Sequence, residues 1–376
     1  LTLGVPVAWC IAMSSLFTLM SAMPFSAATT TVSQRIATGL DSFALLAIPF
    51  FILSGQIMSK GGIANRLISF AKTLVGFLPG GLALINIVSA MMMGAIAGSA
   101  MASASAMGTI LGPEMEKEGY SKEFGAAVNI TSSTTGLVIP PSNTLIVYSL
   151  ASGGVSIAAL FLAGYIPGIL TGLLMMIVAV VWAKKHKYPV GERSSLKEVF
   201  TKFIDALPSL LLLVIVIGGI IAGIFTATEA SAVAVLYTIL LSFYYKELSL
   251  KKLPKVILES SETTAIVMLL IGASMCMSWV LSYENIPQDI SNALLSVSDN
   301  KIIILLMINV ILLAVGVFMD ATPAVLIFTP IFLPIVTDLG MDPTHFGIVL
   351  MLNLCIGLCT PPVGSVLFVG VGIAKT

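Results

Sequence analysis

Hydrophobic residues in this chain gather in long runs, and polar residues are confined to the short intervals between them. A helix that crosses the roughly 30 Å hydrocarbon layer of a bilayer needs about 20 apolar residues. Runs of that order fall at 1–20, 43–58, 124–150, 156–182, 206–225, 229–245 and 256–281, and each predicts a membrane helix. The first run opens without a charged leader or a cleavage pattern, so it is read as a shortened membrane helix and not as a signal peptide. Two more apolar stretches are interrupted. Residues 82–112 are broken by Gly94, Gly98 and a serine-rich patch, and residues 302–336 by Gly316, Asp320 and Pro323. Each is expected to form two half-helices that enter and leave on one side, a re-entrant hairpin.

The interruptions recur at a fixed distance. GLVIPPSNT (136–144) and GLCTPPVGS (357–365) lie 221 residues apart, and Pro113 with Pro334, Gly119 with Gly340 and Ile110 with Ile331 keep the same spacing. A Pro-Pro pair removes two N–H donors, so a helix cannot run through it without leaving carbonyls bare. Lipid cannot satisfy such groups. Broken backbone at membrane depth survives where protein buries it or a polar cavity adjoins it, and paired breaks in corresponding halves point to the binding site of a secondary transporter. Five predicted spans separate the start of the first copy from that of the second. An odd number inverts the second copy in the bilayer.

The expected fold is therefore an all-α polytopic membrane protein of two inverted-topology repeats, each with a re-entrant helical hairpin and a broken transmembrane helix. The first repeat covers 1–183 (hairpin 82–116, broken helix 123–150), a basic loop and linker helix cover 184–227, and the second repeat covers 228–376 (hairpin 302–337, broken helix 345–375). Nothing in 345–376 matches the 156–182 helix, so the second copy is expected to lack its last helix in this chain. Segments 62–75 and 284–297 mix charge with apolar positions just before each hairpin and read as interfacial arm helices. Lys184, Lys185, Lys187, Arg193, Lys197 and Lys202 crowd one loop, and Lys246, Lys251, Lys252 and Lys255 another, which places both on the cytoplasmic side. The first hairpin then enters from the cytoplasm. The second, bracketed by Asp299 and Lys301 before it and Asp338 and Asp342 after it, enters from outside.

Composition narrows the function. With 57% hydrophobic and 10% charged residues, and 18 basic against 18 acidic side chains, the chain has hydrocarbon as its main solvent and no overall attraction to nucleic acid. Its mean hydropathy of +1.06 agrees. Cys10, Cys276, Cys355 and Cys359 sit singly in apolar runs, without zinc spacing, and read as packing residues. His186 and His345 read as surface residues. No HExxH, GxxxxGK[ST] or membrane-embedded Ser-His pair is present, so the chain is not expected to be an enzyme.

What chemistry remains lies at the interruptions. The first hairpin carries hydroxyls at Ser99, Ser103 and Ser105, and TSSTTG (131–136), Ser142, Asn143 and Thr144 flank the first break. Neutral hydroxyl and carbonyl oxygens suit sodium, and helix N-termini beside them suit an anion. The same small residues also serve close helix packing. Asp320 is the repeat counterpart of Ser99. A carboxylate at membrane depth marks a functional site, and DATP equally reads as an N-cap followed by a first-turn proline; the two roles are compatible. Glu229 in TATEA reads as a first-turn acid near the outer surface.

At these residues a resemblance becomes visible. GAIAGSAMASASAMGTILGPEM with TSSTTGLVIPPSNTLIVYSLASG, and GVFMDATPAVLIFTPIFLPI with LCIGLCTPPVGSVLFVGVGIA, resemble the large membrane subunit of tripartite ATP-independent periplasmic (TRAP) transporters over nearly the whole chain. That resemblance implies a sodium-coupled importer of an organic acid anion, such as sialic acid or a C4-dicarboxylate, in the bacterial inner membrane. It also implies an elevator-type transport domain moving against a scaffold. A small four-helix membrane subunit and a periplasmic substrate-binding protein are the implied partners. Carried onto this sequence, sodium would be held by Ser103, Ser105, Gly136, Pro140 and Asn143 in one half and by Asp320, Thr322, Gly357, Cys359 and Pro361 in the other. Ser99, Ser142, Thr144, Gly364 and Ser365 would face the substrate. The competing expectations are a stand-alone sodium/carboxylate symporter without a binding protein, a channel, and an intramembrane enzyme using Asp320 as a base.

Overall fold

The structure, a computed structural model, describes residues 5–298 and 300–376. The first four residues of the expected opening helix, and Asp299 of the charges expected around the second hairpin, lie outside the described residues. The chain runs through α1 (Val7–Ala22), α2 (Phe25–Leu40), a 3-10 turn (Phe43–Leu46), α3 (Ala47–Lys60), α4 (Ile63–Val75), α5 (Gly81–Ala97) and α6 (Ala100–Lys117). It continues through α7 (Lys122–Ser133), α8 (Thr135–Val138), α9 (Asn143–Ala151), α10 (Ile157–His186) and α11 (Leu196–Ile221). The remainder is α12 (Ala227–Tyr244), α13 (Leu253–Tyr283), α14 (Ile286–Val297), α15 (Lys301–Phe318), α16 (Ala321–Asp338), α17 (Pro343–Leu358) and α18 (Ser365–Ala374).

Local chemistry sets these boundaries. Ser121, Ser142, Ser156, Ser195 and Thr226 each accept a hydrogen bond from a first-turn backbone N–H of the helix that follows, which satisfies donors no intrahelical carbonyl can reach. Glu229 completes a capping box with Thr226, accepting from its backbone N–H at 2.8 Å. Among the described residues seven helical segments are long and apolar enough to cross a membrane, so the protein is multi-pass. Ile166, Leu170, Ile177, Val178 and Val181 line the outward stripe of α10, and Ile302, Leu306 and Val310 that of α15, large apolar side chains left for lipid.

Both hairpins form as expected, α5–α6 and α15–α16, with tips at Gly98–Ser99 and Met319–Asp320. The 221-residue register pairs α1 with α12, α4 with α14, α5 with α15, α6 with α16, α7 and α8 with α17, and α9 with α18. The counterpart of the single α13 is composite: α2, the 3-10 turn and α3 in series. Sequence reading placed one membrane run at 43–58 and missed α2, whose segment FSAATTTVSQRIATGL buries only Ala28 and Val32. The composite element runs antiparallel to α13. Arg35 lies over the Trp279 ring, Gly39 faces Met275, and Lys60 pairs with Glu259. One index rises as the other falls, which is the inversion seen directly in packing. Symmetry shows in the neighbours too, because α12 packs on α3 as α1 packs on α13.

The first break is buried in the largest hydrophobic core from Ser132 to Ser142, whereas the second is flanked by that core at Leu358 and Val366 but exposes Pro361, Pro362 and Val363. Each is tied to the first leg of its own hairpin. Ser132 Oγ donates to Asn86 Oδ1 at 3.3 Å, and its repeat counterpart Asn353 donates through Nδ2 to Asn309 Oδ1 at 2.7 Å. Backbone also meets backbone there. A Cβ built on Gly94 would lie 2.3 Å from the Gly136 Cα, and one on Gly357 would lie 2.4 Å from the Gly316 Cα. Only glycine permits these crossings.

Candidate functional site

Both hairpin tips and both breaks open onto one cavity of about 140 Å³. Gly98, Ser99, Ala100 and Met101 reach it from the first tip, and Asp320, Ala321 and Thr322 from the second. Asn143, Thr144 and Val147 come from the first break, Leu358 and Val366 from the second. The opposite wall belongs to other helices: Ile48 and Ile52 of α3, Thr263 and Val267 of α13. Four half-helices, α6, α9, α16 and α18, present their first turns to this space. Their unpaired N–H groups and aligned dipoles favour negative charge.

The two tips are built differently. Gly98 takes a left-handed φ of 59°, and Ser99 then caps α6 by accepting from the Ala102 N–H at 3.3 Å. The tip packs on the break, since a Cβ on Gly98 would lie 3.0 Å from Asn143 Nδ2. In the second tip Asp320 occupies the N-cap position of α16, but its side chain makes no capping bond. Its Oδ1 instead accepts from Ser365 Oγ, the first residue of α18, at 3.0 Å. Gly364 N–H donates to the Val317 carbonyl at 3.0 Å, a second tie between this break and its hairpin.

Two sequence-predicted cation ligands stand out by what they lack. Ser103 Oγ and Asn143 Oδ1 are buried without any hydrogen-bond partner. Leaving such oxygens bare costs roughly 1–3 kcal/mol each, and a cation relieves it. Asn143 lines the cavity and Ser103 lies outside its lining, so the cavity's own set is Asn143 Oδ1 with the Asp320 carboxylate and the Thr322 hydroxyl on the facing tip, hard oxygen and mostly neutral. This fits a monovalent cation.

Other predicted residues stand elsewhere. Ser142 is occupied locally, donating to the Leu137 carbonyl at 2.6 Å and accepting from Leu145 N–H at 3.4 Å. Ser105 is exposed while Ser103 is buried, because residues two apart on a helix point to opposite faces. Cys359 turns its thiol to the Ile130 carbonyl of α7, away from the cavity, and Pro361 is exposed. Pro140 is buried against α10, where Gly164 makes room for it and for the Val138 carbonyl. Gly136 and Gly357 serve the backbone crossings. Sequence reading missed the α3 and α13 wall, which looks like ordinary membrane helix, and the amides Asn86, Asn129, Asn309 and Asn353. A signal for those amides was present. Each is a polar group inside an apolar run, which helices in lipid keep for bonding to one another.

Comparison with known proteins follows the same lines. A family model described as the tripartite ATP-independent periplasmic transporter, DctM component, matches residues 1–376. The uncharacterized protein YgiK of Salmonella typhimurium is 57% identical over 375 residues, covering 100% of this chain and 86% of that protein. The C4-dicarboxylate TRAP transporter large permease protein DctM of Rhodobacter capsulatus is 38% identical, covering 92% of this chain and 82% of its own. The sialic acid TRAP transporter large permease protein SiaM of Vibrio cholerae is also 38% identical, covering 90% and 79%. Among solved structures, the Alcanivorax borkumensis YdaH transporter superposes with a TM-score of 0.64 at 13% identity, covering 92% of this chain and 80% of its own, a likeness of fold.

Proposed function

This chain belongs to the tripartite ATP-independent periplasmic transporter family as its DctM component, the large permease subunit for organic acid substrates, and from that premise we propose that it couples anion import to sodium by an elevator movement. It is a membrane transport subunit and not an enzyme. Membership implies a small membrane subunit and a periplasmic binding protein as partners. The bacterial inner membrane is the location consistent with its relatives.

The observation that carries the reading is the cavity in which four helix N-termini, the bare Asn143 Oδ1 and one carboxylate converge. An organic acid anion is drawn by the N-termini and opposed by Asp320. A sodium ion held by the tip oxygens removes that opposition, so the anion binds well only after the cation. This mutual requirement is coupling. Among the described residues neither arginine nor lysine lines the cavity, so selection among organic acids rests largely with the binding protein that delivers the substrate.

Uptake into proteoliposomes holding the large and small subunits, with binding protein and substrate outside, tests the proposal. Replacing sodium by choline at several pH values should abolish uptake, and omitting the binding protein should do the same. Equal uptake in choline would overturn the coupling, and uptake of free anion without binding protein would make the chain a stand-alone symporter.

A further inference from the structure

A second cavity, of about 290 Å³, lies at the base of the first hairpin, away from the tips. Gly108 and Gly112 of α6, Gly125 and Asn129 of α7, and Gly370 and Ile373 of α18 line it. The exposed ion pair Lys122–Glu116, at 3.6 Å, flanks its rim. Gly112 and Gly125 face open space there, and Gly108 and Gly370 let α6 and α18 pack closely on Asn129 and Ile130 of α7. Asn129 is 3% exposed; its Nδ2 donates to the Ala104 carbonyl at 2.8 Å, and its Oδ1 is buried without a partner. The wall thus mixes apolar positions, Met115, Ala126, Ile373 and Ala374, with a polar rim, and Asn129 Oδ1 is its unanswered buried acceptor among the described residues.

The other half of the molecule shows what belongs in such a space. There Tyr148, fully buried, lays its ring on Gly347, where a Cβ would come within 2.5 Å of a ring carbon. Its hydroxyl donates to the Pro343 carbonyl. In the 221-residue register, Gly347 and Pro343 correspond to Ala126 and Lys122, and one residue of local drift makes them Gly125 and Ser121. All four of these line the cavity. The counterpart of Tyr148 itself is Val369 or Gly370, which supplies no ring. One half carries its phenol covalently. The other half keeps the room without it, and offers a different acceptor, Asn129 Oδ1, on the same wall.

We propose that this cavity is a binding site for a small phenol-like molecule, an aromatic ring bearing one hydrogen-bond donor, with the donor directed to Asn129 Oδ1. A cavity of about 150 Å³ lined by aliphatic side chains already admits benzene, so the volume is sufficient. Occupancy would wedge α18 of the second break against α6 of the first hairpin and α7 of the first break, inside the part of the molecule proposed to carry the transport site. The inference is independent of sodium coupling.

The test titrates 4-fluorophenol into the full chain in lipid nanodiscs and follows it by ¹⁹F NMR, with fluorobenzene as the ring without a donor. Saturable binding of 4-fluorophenol is expected, with fluorobenzene roughly fivefold weaker, about what one neutral hydrogen bond confers. Ala374→Tyr and Thr109→Phe fill the cavity from opposite walls, and each should abolish the saturable component. Absence of saturable binding, equal binding of the two probes, or binding unchanged in both filled variants would overturn the proposal.

Discussion

Asp320 shows how far a single position departs from its repeat. Its counterpart Ser99 caps a helix, whereas Asp320 leaves its own helix uncapped and bonds Ser365 at 3.0 Å. An asparagine at 320 can still accept from Ser365, so Asp320→Asn removes charge and little else. We expect Asp320→Asn to fold and assemble normally but lose at least tenfold in sodium-driven uptake, and Asp320→Ala to lose more. Near-normal uptake by Asp320→Ala would show that neither the charge nor the bond to Ser365 is needed. The sequence made Asp320 visible as a carboxylate at membrane depth. It could not say which oxygen partner the carboxylate chooses, because a position with N-cap dihedrals ordinarily turns its side chain back on its own helix. The case of Ser103 and Ser105 is simpler: a serine pair reads alike on paper, and helical geometry gives one to the core and the other to the surface.

Among the elements, the hairpins, breaks and arms were legible because each is an interruption, and an interruption in an apolar run has few structural solutions in lipid. Helix α2 was not. Its threonines, Gln34 and Arg35 erase the apolar signature, and it is held by packing along α13 that no local pattern records. Arm α4 shows an asymmetry equally hidden from sequence. Arg66 on it lies 3.6 Å over the Tyr245 ring, pairs with Asp205 at 3.4 Å and donates to the Gly62 carbonyl at 3.0 Å, which fastens the arm to α11 and the end of α12. Arm α14 has no such anchor among the described residues and buries only Pro287 and Leu294. Arg66→Ala should therefore cost about 1–2 kcal/mol, the range of a partly desolvated cation–π contact, seen as a lower unfolding temperature. Arg66→Lys should recover only part of it, since an ammonium cannot stack as a guanidinium does. An unchanged unfolding temperature in Arg66→Ala would show the anchor to be idle.

At the scale of the molecule, hairpins and breaks are tied to one another by the Ser132–Asn86 and Asn353–Asn309 bonds and the glycine crossings, while α3 packs on α5, α13 packs on α16, and both helices wall the cavity at the tips without a side-chain hydrogen bond to the block among the described residues. A block that moves whole keeps its broken backbone covered; one that came apart would expose polar groups at several kcal/mol each. With the four native cysteines replaced, a short thiol crosslink between Asn86→Cys and Ser132→Cys should preserve uptake. One between Ile48→Cys on α3 and Val147→Cys on α9 should arrest it, and the reverse pattern would reject the elevator. The glycine crossings carry a consequence for a quite different observable. Interrupted helices are usually where a protein opens most readily, and their amides trade hydrogen for deuterium early. Here the first interruption is buried from Ser132 to Ser142 beside a point where two backbones touch with no side chain between them, so no rotamer can swing aside to admit water, whereas the second exposes Pro361, Pro362 and Val363. The peptide around Gly136 should thus be among the last to take up deuterium, later than the regular but open helix α14 and later than the second break, so that irregular backbone is there among the slowest in the molecule to exchange.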